Sequence, residues 1–182
     1  MTDAPRRLHG DPPAAALIER MIRVDQAGEY GAKRIYAGQL AVLGRSSAAP
    51  AIRRMAEQEE RHLAAFDVLM GVHRVRPTLL SPLWHVAGFA LGAATALLGE
   101  RAAMACTVAV EDVIDEHYGR QSETLGESQP ELKAAIDSSR RDEREHRDTA
   151  LAHGAAAAPA YPVLSAAIKA GSRLAIWLST RI

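Results

Sequence analysis

A pair of short motifs of the form Glu-x-x-His constrains most strongly what this chain can fold into. Glu59 and His62 form the first pair, and Glu143 and His146 form the second. Residues three positions apart lie on one face of an α-helix, about 5–6 Å apart at Cβ, so each pair can hold a metal ion. A single Glu-x-x-His is common on solvated helices and indicates little by itself.

Each motif is preceded by an isolated glutamate on an earlier helical segment. Glu29 lies 30 residues before Glu59, and Glu111 lies 32 residues before Glu143. Two half-sites of this form are the ligand set of a carboxylate-bridged dimetal centre inside a four-helix bundle. The sequence therefore predicts two metal ions bound by six residues: Glu29, Glu59, His62, Glu111, Glu143 and His146.

Apolar residues that recur every three or four positions predict an all-α fold in a single domain, residues 14–182. The bundle helices are expected over residues 14–44, from about residue 49 onward, over 100–125 and over 131–153. The predicted ligands lie within the apolar stripes of these helices. A carboxylate there is costly unless it is paired or binds a metal, and this favours the metal interpretation.

Composition excludes some classes of protein. The chain has 22 basic and 22 acidic residues, and the basic ones are scattered, so nothing indicates a nucleic-acid-binding surface. The single cysteine, Cys106, cannot form an internal disulfide and indicates a buried thiol in a reducing compartment. Residues 1–13 contain no apolar run, so we expect a disordered lead-in and not a secretory signal.

The segment 77–99 contains no Asp, Glu, Lys or Arg over 23 residues. By length alone it is a transmembrane candidate. A single crossing, however, would place the two half-sites on opposite sides of the bilayer and divide the predicted metal centre. We therefore interpret the segment as an apolar helix that dips into a membrane interface or packs against a partner. Gly88 and Gly92 would permit close helix contact, and continuity with the next helix is left open.

Residues 163–182 predict a terminal amphipathic helix. Its only charged residues are Lys169, Arg173 and Arg181, and it also carries Trp177. A basic helix with a tryptophan suits an anionic membrane surface. Packing of the same helix against the bundle fits the pattern equally well.

Four further polar residues accompany the predicted ligands. Tyr118 lies seven residues after Glu111 on the same helix face, with His117 beside it. Tyr118 is either a core tyrosine or part of a relay of protons and electrons between a substrate and the metals. Asp25 and Asp142 are candidates for holding the ring N–H of a metal-binding histidine, and ordinary surface aspartates are the alternative.

Three stretches resemble the motifs of a known family, the demethoxyubiquinone hydroxylases, which are di-iron enzymes of ubiquinone biosynthesis. They are residues 23–32 (RVDQAGEYGA), residues 103–111 (AMACTVAVE) with the following His117-Tyr118, and residues 141–146 (RDEREH). The similarity extends over residues 14–182. It implies a ferritin-like four-helix bundle with an additional apolar segment and a C-terminal amphipathic helix, and it implies iron at the six predicted ligands.

The resemblance also implies an activity and a setting. The ring of a polyprenylated demethoxyubiquinol would be hydroxylated with O2, with electrons from NADH or from the quinol, and His117 with Tyr118 would pass electrons and protons to iron. The substrate would enter from the membrane along the apolar segment and the terminal helix. The implied location is peripheral, on the cytoplasmic face of the inner (cell) membrane. A second copy of the chain and an accessory lipid-binding protein of the pathway are the implied protein partners.

Other classes share the bundle and compete with this interpretation. They include a peroxidase or manganese catalase, a tRNA hydroxylase, an iron-storage protein and a non-enzymatic helical scaffold at a membrane. None of the enzymes requires an uncharged stretch such as 77–99, and a tRNA enzyme would need a basic face. Storage would require a cage-forming chain, which the apolar segment disfavours.

Overall fold

The computed structural model describes residues 13–182 and folds them into six α-helices and one short 3₁₀ turn. The helices are α1 (Ala14–Leu43), α2 (Ala49–His73), α3 (Ser81–Leu97), α4 (Glu100–Leu125), α5 (Pro130–Ala152) and α6 (Tyr161–Ser179). These residues contain no strand, and the all-α prediction is confirmed. The predicted lead-in lies outside the described residues apart from Pro13.

Four of the helices, α1, α2, α4 and α5, form the bundle that the spacing predicted. Residues 44–48 join α1 to α2, and residues 126–129 join α4 to α5, so each pair folds back on itself and packs along its length. Contacts between α2 and α5 then bring the two hairpins together. The bundle therefore has the ferritin-like arrangement of two helical hairpins linked by a long connection, which here contains α3.

Two clusters of buried apolar side chains fill the bundle on either side of its middle. One cluster is built on Ile22, Phe66, Leu69, Leu132 and Ile136. The other is built on Tyr36, Ile52, Met55, Met104 and Ala150. On each bundle helix the predicted metal ligands lie between the residues of these clusters. The polar centre is therefore enclosed by apolar packing at both ends.

Glycine and proline mark the helix boundaries. Gly99 has φ of 107°, a backbone conformation that side-chain-bearing residues rarely adopt, and it separates α3 from α4. The apolar segment and the following helix are thus two elements. Four helices carry proline in the first turn, where its missing N–H leaves no hydrogen bond unmade: Pro50, Pro82, Pro130 and Pro162.

The apolar segment 77–99 forms α3, and one face of α3 packs closely on α1. A Cβ atom added to Gly92 would overlap the carbonyl oxygen of Ile35, and one added to Gly88 would lie 2.8 Å from the carbonyl oxygen of Gly31. The close contact expected from Gly88 and Gly92 is therefore present. The partner on this face of α3 is a helix of the same chain.

The terminal helix begins and ends slightly earlier than expected, at Tyr161 and Ser179, and it packs on α4. Lys169 forms an ion pair with Asp112 at 2.7 Å, and Arg173 forms one with Glu116 at 3.3 Å. Two of the three basic residues expected to face an anionic surface thus pair with acidic residues of α4. Packing on the bundle, one of the two interpretations of this helix, is confirmed for this face.

Most of the large apolar side chains that remain exposed in residues 13–182 lie on or beside α3 and α6. Leu79 and Val86 are 82% and 64% exposed, and Leu174 and Trp177 are 56% and 51% exposed. A concentration of exposed apolar side chains on two helices is a mark of interaction sites. Among residues 13–182, no helix combines the length and the apolar character required to cross a bilayer.

Candidate metal centre

The structure brings all six predicted ligands together in the middle of the bundle. Helices α1 and α4 contribute one glutamate each, whereas α2 and α5 each contribute a Glu-x-x-His pair. All six side chains are buried, with His62 the most accessible at 6%. Their donor atoms form two groups, and within each group the atoms lie within 4.8 Å of one another: Glu29, Glu59, His62 and Glu143, and Glu59, Glu111, Glu143 and His146.

The two groups overlap in a way that distinguishes the glutamates. Glu59 and Glu143 belong to both groups, whereas Glu29 belongs only to the first and Glu111 only to the second. A carboxylate has two oxygens and can bind two ions at once, so the shared pair suits bridging positions. The glutamates of the Glu-x-x-His motifs would then bridge, and the isolated glutamates would each serve one ion.

Both histidines turn the same ring nitrogen towards the carboxylates. Nδ1 of His62 lies 3.3 Å from Oε1 of Glu143 and 3.4 Å from Oε2 of Glu29. Nδ1 of His146 lies 3.0 Å from Oε2 of Glu143 and 3.2 Å from Oε1 of Glu59. The Nδ1 atoms are therefore the ones that could bind metal, and the Nε2 atoms point away from the centre.

The Nε2 atom of each histidine donates a hydrogen bond to a residue on the helix that carries the other Glu-x-x-His motif. Nε2 of His62 donates to Oδ2 of Asp142 at 2.9 Å, and Nε2 of His146 donates to Oε1 of Gln58 at 3.1 Å. These hydrogen bonds fix the rings with Nδ1 free to face the centre. The proposal that Asp142 holds a ring N–H agrees with this geometry, whereas Gln58 was not expected.

Burial has the largest effect on the pKa values of Glu59 and Glu111. It raises the pKa of Glu59 well above its ordinary value, and the neighbouring Glu143 and Glu29 carboxylates add to that effect. Burial likewise raises the pKa of Glu111, again reinforced by Glu143 and then Glu59. A site of like charges in a dry interior favours protons on these two residues when nothing else neutralises them.

The pKa values of Glu143, His62 and His146 shift in the opposite sense, in favour of the charged form. Although burial opposes it, the hydrogen bond from His146 and the nearby ring of His62 lower the pKa of Glu143 to about 2. Burial also opposes charge on His62, but Glu143 and Glu29 raise the pKa of His62 to about 12. The centre therefore favours the binding of positive charge. When no metal ion is bound, protons supply that charge.

Several buried polar atoms of the centre have no hydrogen-bond partner. They are both carboxylate oxygens of Glu59 and the Nδ1 atom of His62. A buried unpaired carboxylate is costly, and it is commonly stabilised by a metal ion. Four carboxylates also match the charge of two divalent cations, and carboxylate with imidazole suits iron or manganese. The residues therefore fit a pair of metal ions.

Two tyrosines contact the isolated glutamates across the bundle. The hydroxyl of Tyr118 donates to Oε1 of Glu29, and the hydroxyl of Tyr36 donates to Oε1 of Glu111 at 2.9 Å. Burial and the adjacent glutamates raise the pKa of both phenols well above the ordinary value, so both remain protonated donors. Tyr118 thus reaches the centre, as its spacing suggested, whereas no role was expected for Tyr36.

His117 does not point into the centre. Its Nε2 atom lies 3.2 Å from Oδ1 of Asp25, and Nε2 of Gln121 donates to the same oxygen at 2.8 Å. The expectation that Asp25 holds a metal-binding histidine is wrong. Asp25 lies one helical turn before Glu29 on α1, and its carboxylate faces His117 of α4 and not the metal ligands. Asp25 instead holds His117 beside Tyr118.

An apolar groove runs over the outside of the bundle between α3 and α6. It has a volume of about 370 Å³, and α1 and α4 form its floor. Gly28 and Val110 line it, and they are the sequence neighbours of Glu29 and Glu111. The groove therefore borders the two helices that carry the isolated glutamates. Trp84 on α3 and Ser179 on α6 also line the groove, and Nε1 of Trp84 donates to Oγ of Ser179 at 2.9 Å.

Two of the unexpected contacts have a signal in the sequence. Gln58 immediately precedes Glu59 as Asp142 immediately precedes Glu143, and Tyr36 follows Glu29 by seven residues as Tyr118 follows Glu111. The two halves of the centre are therefore repeats beyond their ligands. Comparing the flanks of the two Glu-x-x-His motifs would have identified Gln58.

Fold and site together define a ferritin-like protein with a buried carboxylate and histidine centre suited to two metal ions. Residues 16–179 match the family described as ubiquinone biosynthesis protein COQ7. The chain belongs to this family, which confirms the resemblance identified from the motifs.

Relatives from distant organisms cover nearly all of the chain. A 3-demethoxyubiquinol 3-hydroxylase of Rhodospirillum rubrum is 65% identical over 177 residues, which cover 97% of this chain and 84% of the relative. The mitochondrial NADPH-dependent 3-demethoxyubiquinone 3-hydroxylase of Homo sapiens is 56% identical, covering 94% of this chain and 81% of the relative. The mitochondrial 5-demethoxyubiquinone hydroxylase of Saccharomyces cerevisiae is 42% identical, covering 98% and 84%.

Proposed function

We propose that the protein is a 3-demethoxyubiquinol 3-hydroxylase that uses dioxygen to hydroxylate the quinol ring in ubiquinone biosynthesis. The observation that carries this proposal is the pair of overlapping donor groups that share Glu59 and Glu143 in a dry interior. The names of the relatives in three organisms supply the reaction. The overlapping groups supply a place where a carboxylate-bridged metal pair can perform it.

The six buried residues would hold two iron ions: Glu29, Glu59, His62, Glu111, Glu143 and His146. When bound, the iron pair supplies the activation of dioxygen, from which one oxygen atom enters the ring and the other leaves as water. This balance requires two further electrons and two protons. They come from the quinol itself or from a reduced nicotinamide nucleotide, the donor class in the names of several relatives.

The protein's own part is to position, to exclude water and to hold protons. Tyr118 holds a proton on its phenol oxygen and presents it to Oε1 of Glu29. His117 lies beside the Tyr118 ring, with ring centroids 5.9 Å apart, and is oriented by Asp25. We assign His117 and Tyr118 the relay of protons and electrons between the quinol and the centre, a role that the family resemblance implies.

The apolar groove suits the polyprenyl chain of such a substrate. Its walls are almost entirely apolar, and Gly28, Gly31 and Gly171 face open space, since no other atom lies within 4 Å of a Cβ added to any of them. A hydrocarbon chain can therefore lie directly against the helix backbones. The groove would hold the tail over α1 and α4 while the ring approaches the centre between them.

The exposed apolar side chains of α3 and α6 would place the mouth of this groove against a lipid surface. The exposed Leu79, Leu83 and Trp177 support contact with lipid, and we propose a peripheral position on the cytoplasmic face of the inner membrane, the location that the family resemblance implies. Co-sedimentation with vesicles of anionic phospholipid tests this position, and failure to bind them would contradict it. A second copy of the chain and an accessory lipid-binding protein stay predictions as partners.

The reaction is tested with a substitution of a shared glutamate and a matched neighbour. Glu143→Ala should abolish ring hydroxylation and lower the iron content below that of the unmodified protein. Glu145→Ala removes an exposed carboxylate two residues away on the same helix and should retain both. The measurement is iron content of the purified proteins together with quinone profiles of a strain that lacks its own enzyme. Full turnover by Glu143→Ala would refute the site. If the unmodified protein restored growth of that strain while the demethoxy precursor still accumulated, the proposed reaction would be refuted.

A further inference from the structure

The two halves of the centre repeat each other in geometry but differ in the chemistry around their histidines. Nε2 of His62 donates to a carboxylate, Asp142, whereas Nε2 of His146 donates to an amide, Gln58. Both acceptors occupy the position immediately before a shared glutamate. The two repeats therefore differ at one equivalent position, where one has a carboxylate and the other has a neutral amide.

These hydrogen bonds also cross between helices. Gln58 on α2 holds the histidine of α5, and Asp142 on α5 holds the histidine of α2. Each acceptor therefore fixes the ligand of the opposite motif. A change at either position acts on one histidine and leaves the hydrogen bond of the other in place.

A carboxylate and an amide do not affect a metal-binding imidazole equally. A carboxylate that accepts the N–H withdraws the proton more strongly, which makes the other ring nitrogen a better electron donor and raises its affinity for a cation. An amide oxygen orients the ring but carries no charge. The rings differ little in other respects, because both are buried and both face Glu143 at 3.0–3.3 Å.

We propose that Asp142 and Gln58 are positioning residues that make the two metal positions unequal. The position formed by His62 with Glu29 binds its ion more tightly and fills first, and the position formed by His146 with Glu111 binds its ion more weakly. The ion bound by His62 is also the more electron-rich of the two. This inference rests on the metal assignment made under the proposed function.

Two substitutions test the inequality in opposite directions. Asp142→Asn keeps an acceptor oxygen but removes its charge, and it should weaken the tighter binding step by about 10-fold, the lower end of the usual effect of changing such a partner. Gln58→Glu introduces a carboxylate at the equivalent position and should tighten the weaker step. Combining Asp142→Asn with Gln58→Glu should exchange the order in which the positions fill.

The measurement is an anaerobic titration of the metal-free protein with Co²⁺. Binding is monitored by calorimetry and by the visible absorption of the bound ion. The unmodified protein should bind two ions in two resolved steps. Glu145→Gln and Arg61→Gln are the controls, because each changes an exposed charge by the same amount as Asp142→Asn and Gln58→Glu respectively. Neither control should move either step, and helical content by circular dichroism should stay unchanged in all variants.

The outcomes separate this inference from the proposed function. Equal steps in the unmodified protein, steps that neither variant moves, or equal effects of the controls would overturn it while leaving the di-iron assignment intact. A protein that binds no Co²⁺ at all would overturn the metal assignment itself. Because no quinol is present in the titration, the result does not depend on which substrate the enzyme uses.

Discussion

At the scale of single residues, the centre consists of two copies of one arrangement. Glu29 with Tyr36 on α1 corresponds to Glu111 with Tyr118 on α4, and each tyrosine donates to the glutamate of the other helix. Their surroundings differ, however. Tyr118 adjoins His117, whereas the hydroxyl of Tyr36 faces the sulfur of Met55. The two tyrosines should therefore share a structural role and differ in their part in the reaction.

Removing each phenol oxygen should reveal that difference. Tyr118→Phe and Tyr36→Phe each delete a buried hydrogen bond to a glutamate side chain, which is worth about 0.5–3 kcal/mol depending on the charge of the acceptor. We expect a loss of unfolding free energy within this range in each metal-free variant. Turnover of the quinol should fall much further in Tyr118→Phe. Equal turnover in the two variants, measured at equal iron content, would remove Tyr118 from the relay.

Cys106 provides a pH-dependent test of burial. Burial raises the pKa of this thiol from an ordinary value of 9.0 to about 12. The unfolded chain therefore ionises first, and the stability that the buried thiol contributes is complete below pH 9 and is lost as the pH rises towards 12.

Between pH 8 and pH 10 the unmodified protein should lose about 1 kcal/mol more unfolding free energy than Cys106→Ala, because only its unfolded state ionises a thiol. Denaturant unfolding at both pH values measures the difference, and the variant controls for every other group that titrates in this range. Parallel losses in the two proteins, or rapid alkylation of Cys106 in the folded protein, would show that the thiol is accessible.

At the scale of helices, α3 has a fixed contact and a free face. The contact depends on Gly92, whose added Cβ would overlap the carbonyl oxygen of Ile35. Backbone atoms cannot move aside as a flexible side chain can, so this glycine permits the close approach of the two helices. The face opposite to α1 remains apolar and exposed, as at Val86.

Adding one methyl group should change the unfolding free energy in opposite directions at Gly92 and at a glycine that has free space around it. Gly92→Ala should lower the unfolding free energy by about 1–3 kcal/mol, because the overlap forces α3 away from α1. Gly171→Ala lies within α6, where nothing lies within 4 Å of the new Cβ, and should raise stability by about 0.5–1 kcal/mol. Thermal unfolding of both variants measures the contrast. If Gly92→Ala left the unfolding free energy unchanged, the two helices would not be in close contact.

Prediction from the sequence succeeded where a repeat fixed the geometry. Spacing within a helix placed Glu59 with His62, and the second copy of the motif placed the two half-sites together. It failed where the outcome depends on how one helix is rotated against another, as for Asp25, which faces His117. It also overlooked Gln58, whose only signal in the sequence is its position, since it precedes Glu59 as Asp142 precedes Glu143 but carries no charge that would mark it as a site residue.

At the scale of the whole molecule, the same logic explains the uncharged segment 77–99. Its lack of charge predicted an interface, and the folded chain uses one side of α3 for α1 and exposes the other. Periodicity indicates that a face is apolar without indicating what covers it. The groove between α3 and α6 could not be predicted for the same reason, because it depends on the separation between two helices distant in sequence.

The molecule as a whole therefore joins a dry, acidic centre to an apolar groove open at one side of the bundle. The centre fits two metal ions through four carboxylates and two imidazoles, and the groove fits a hydrocarbon chain. Neither feature alone defines the reaction. Their adjacency across α1 and α4, in a chain of the COQ7 family, is the basis of the proposed ring hydroxylation.

The most direct test of this account follows the oxygen atom. Purified protein loaded with two iron ions per chain is supplied with a demethoxyubiquinol, a reduced nicotinamide nucleotide and ¹⁸O₂, and the product is analysed by mass spectrometry. We predict a hydroxylated quinol in which the new ring oxygen is ¹⁸O. A fully iron-loaded protein that forms no hydroxylated product, or a product whose new oxygen derives from water, would contradict the account.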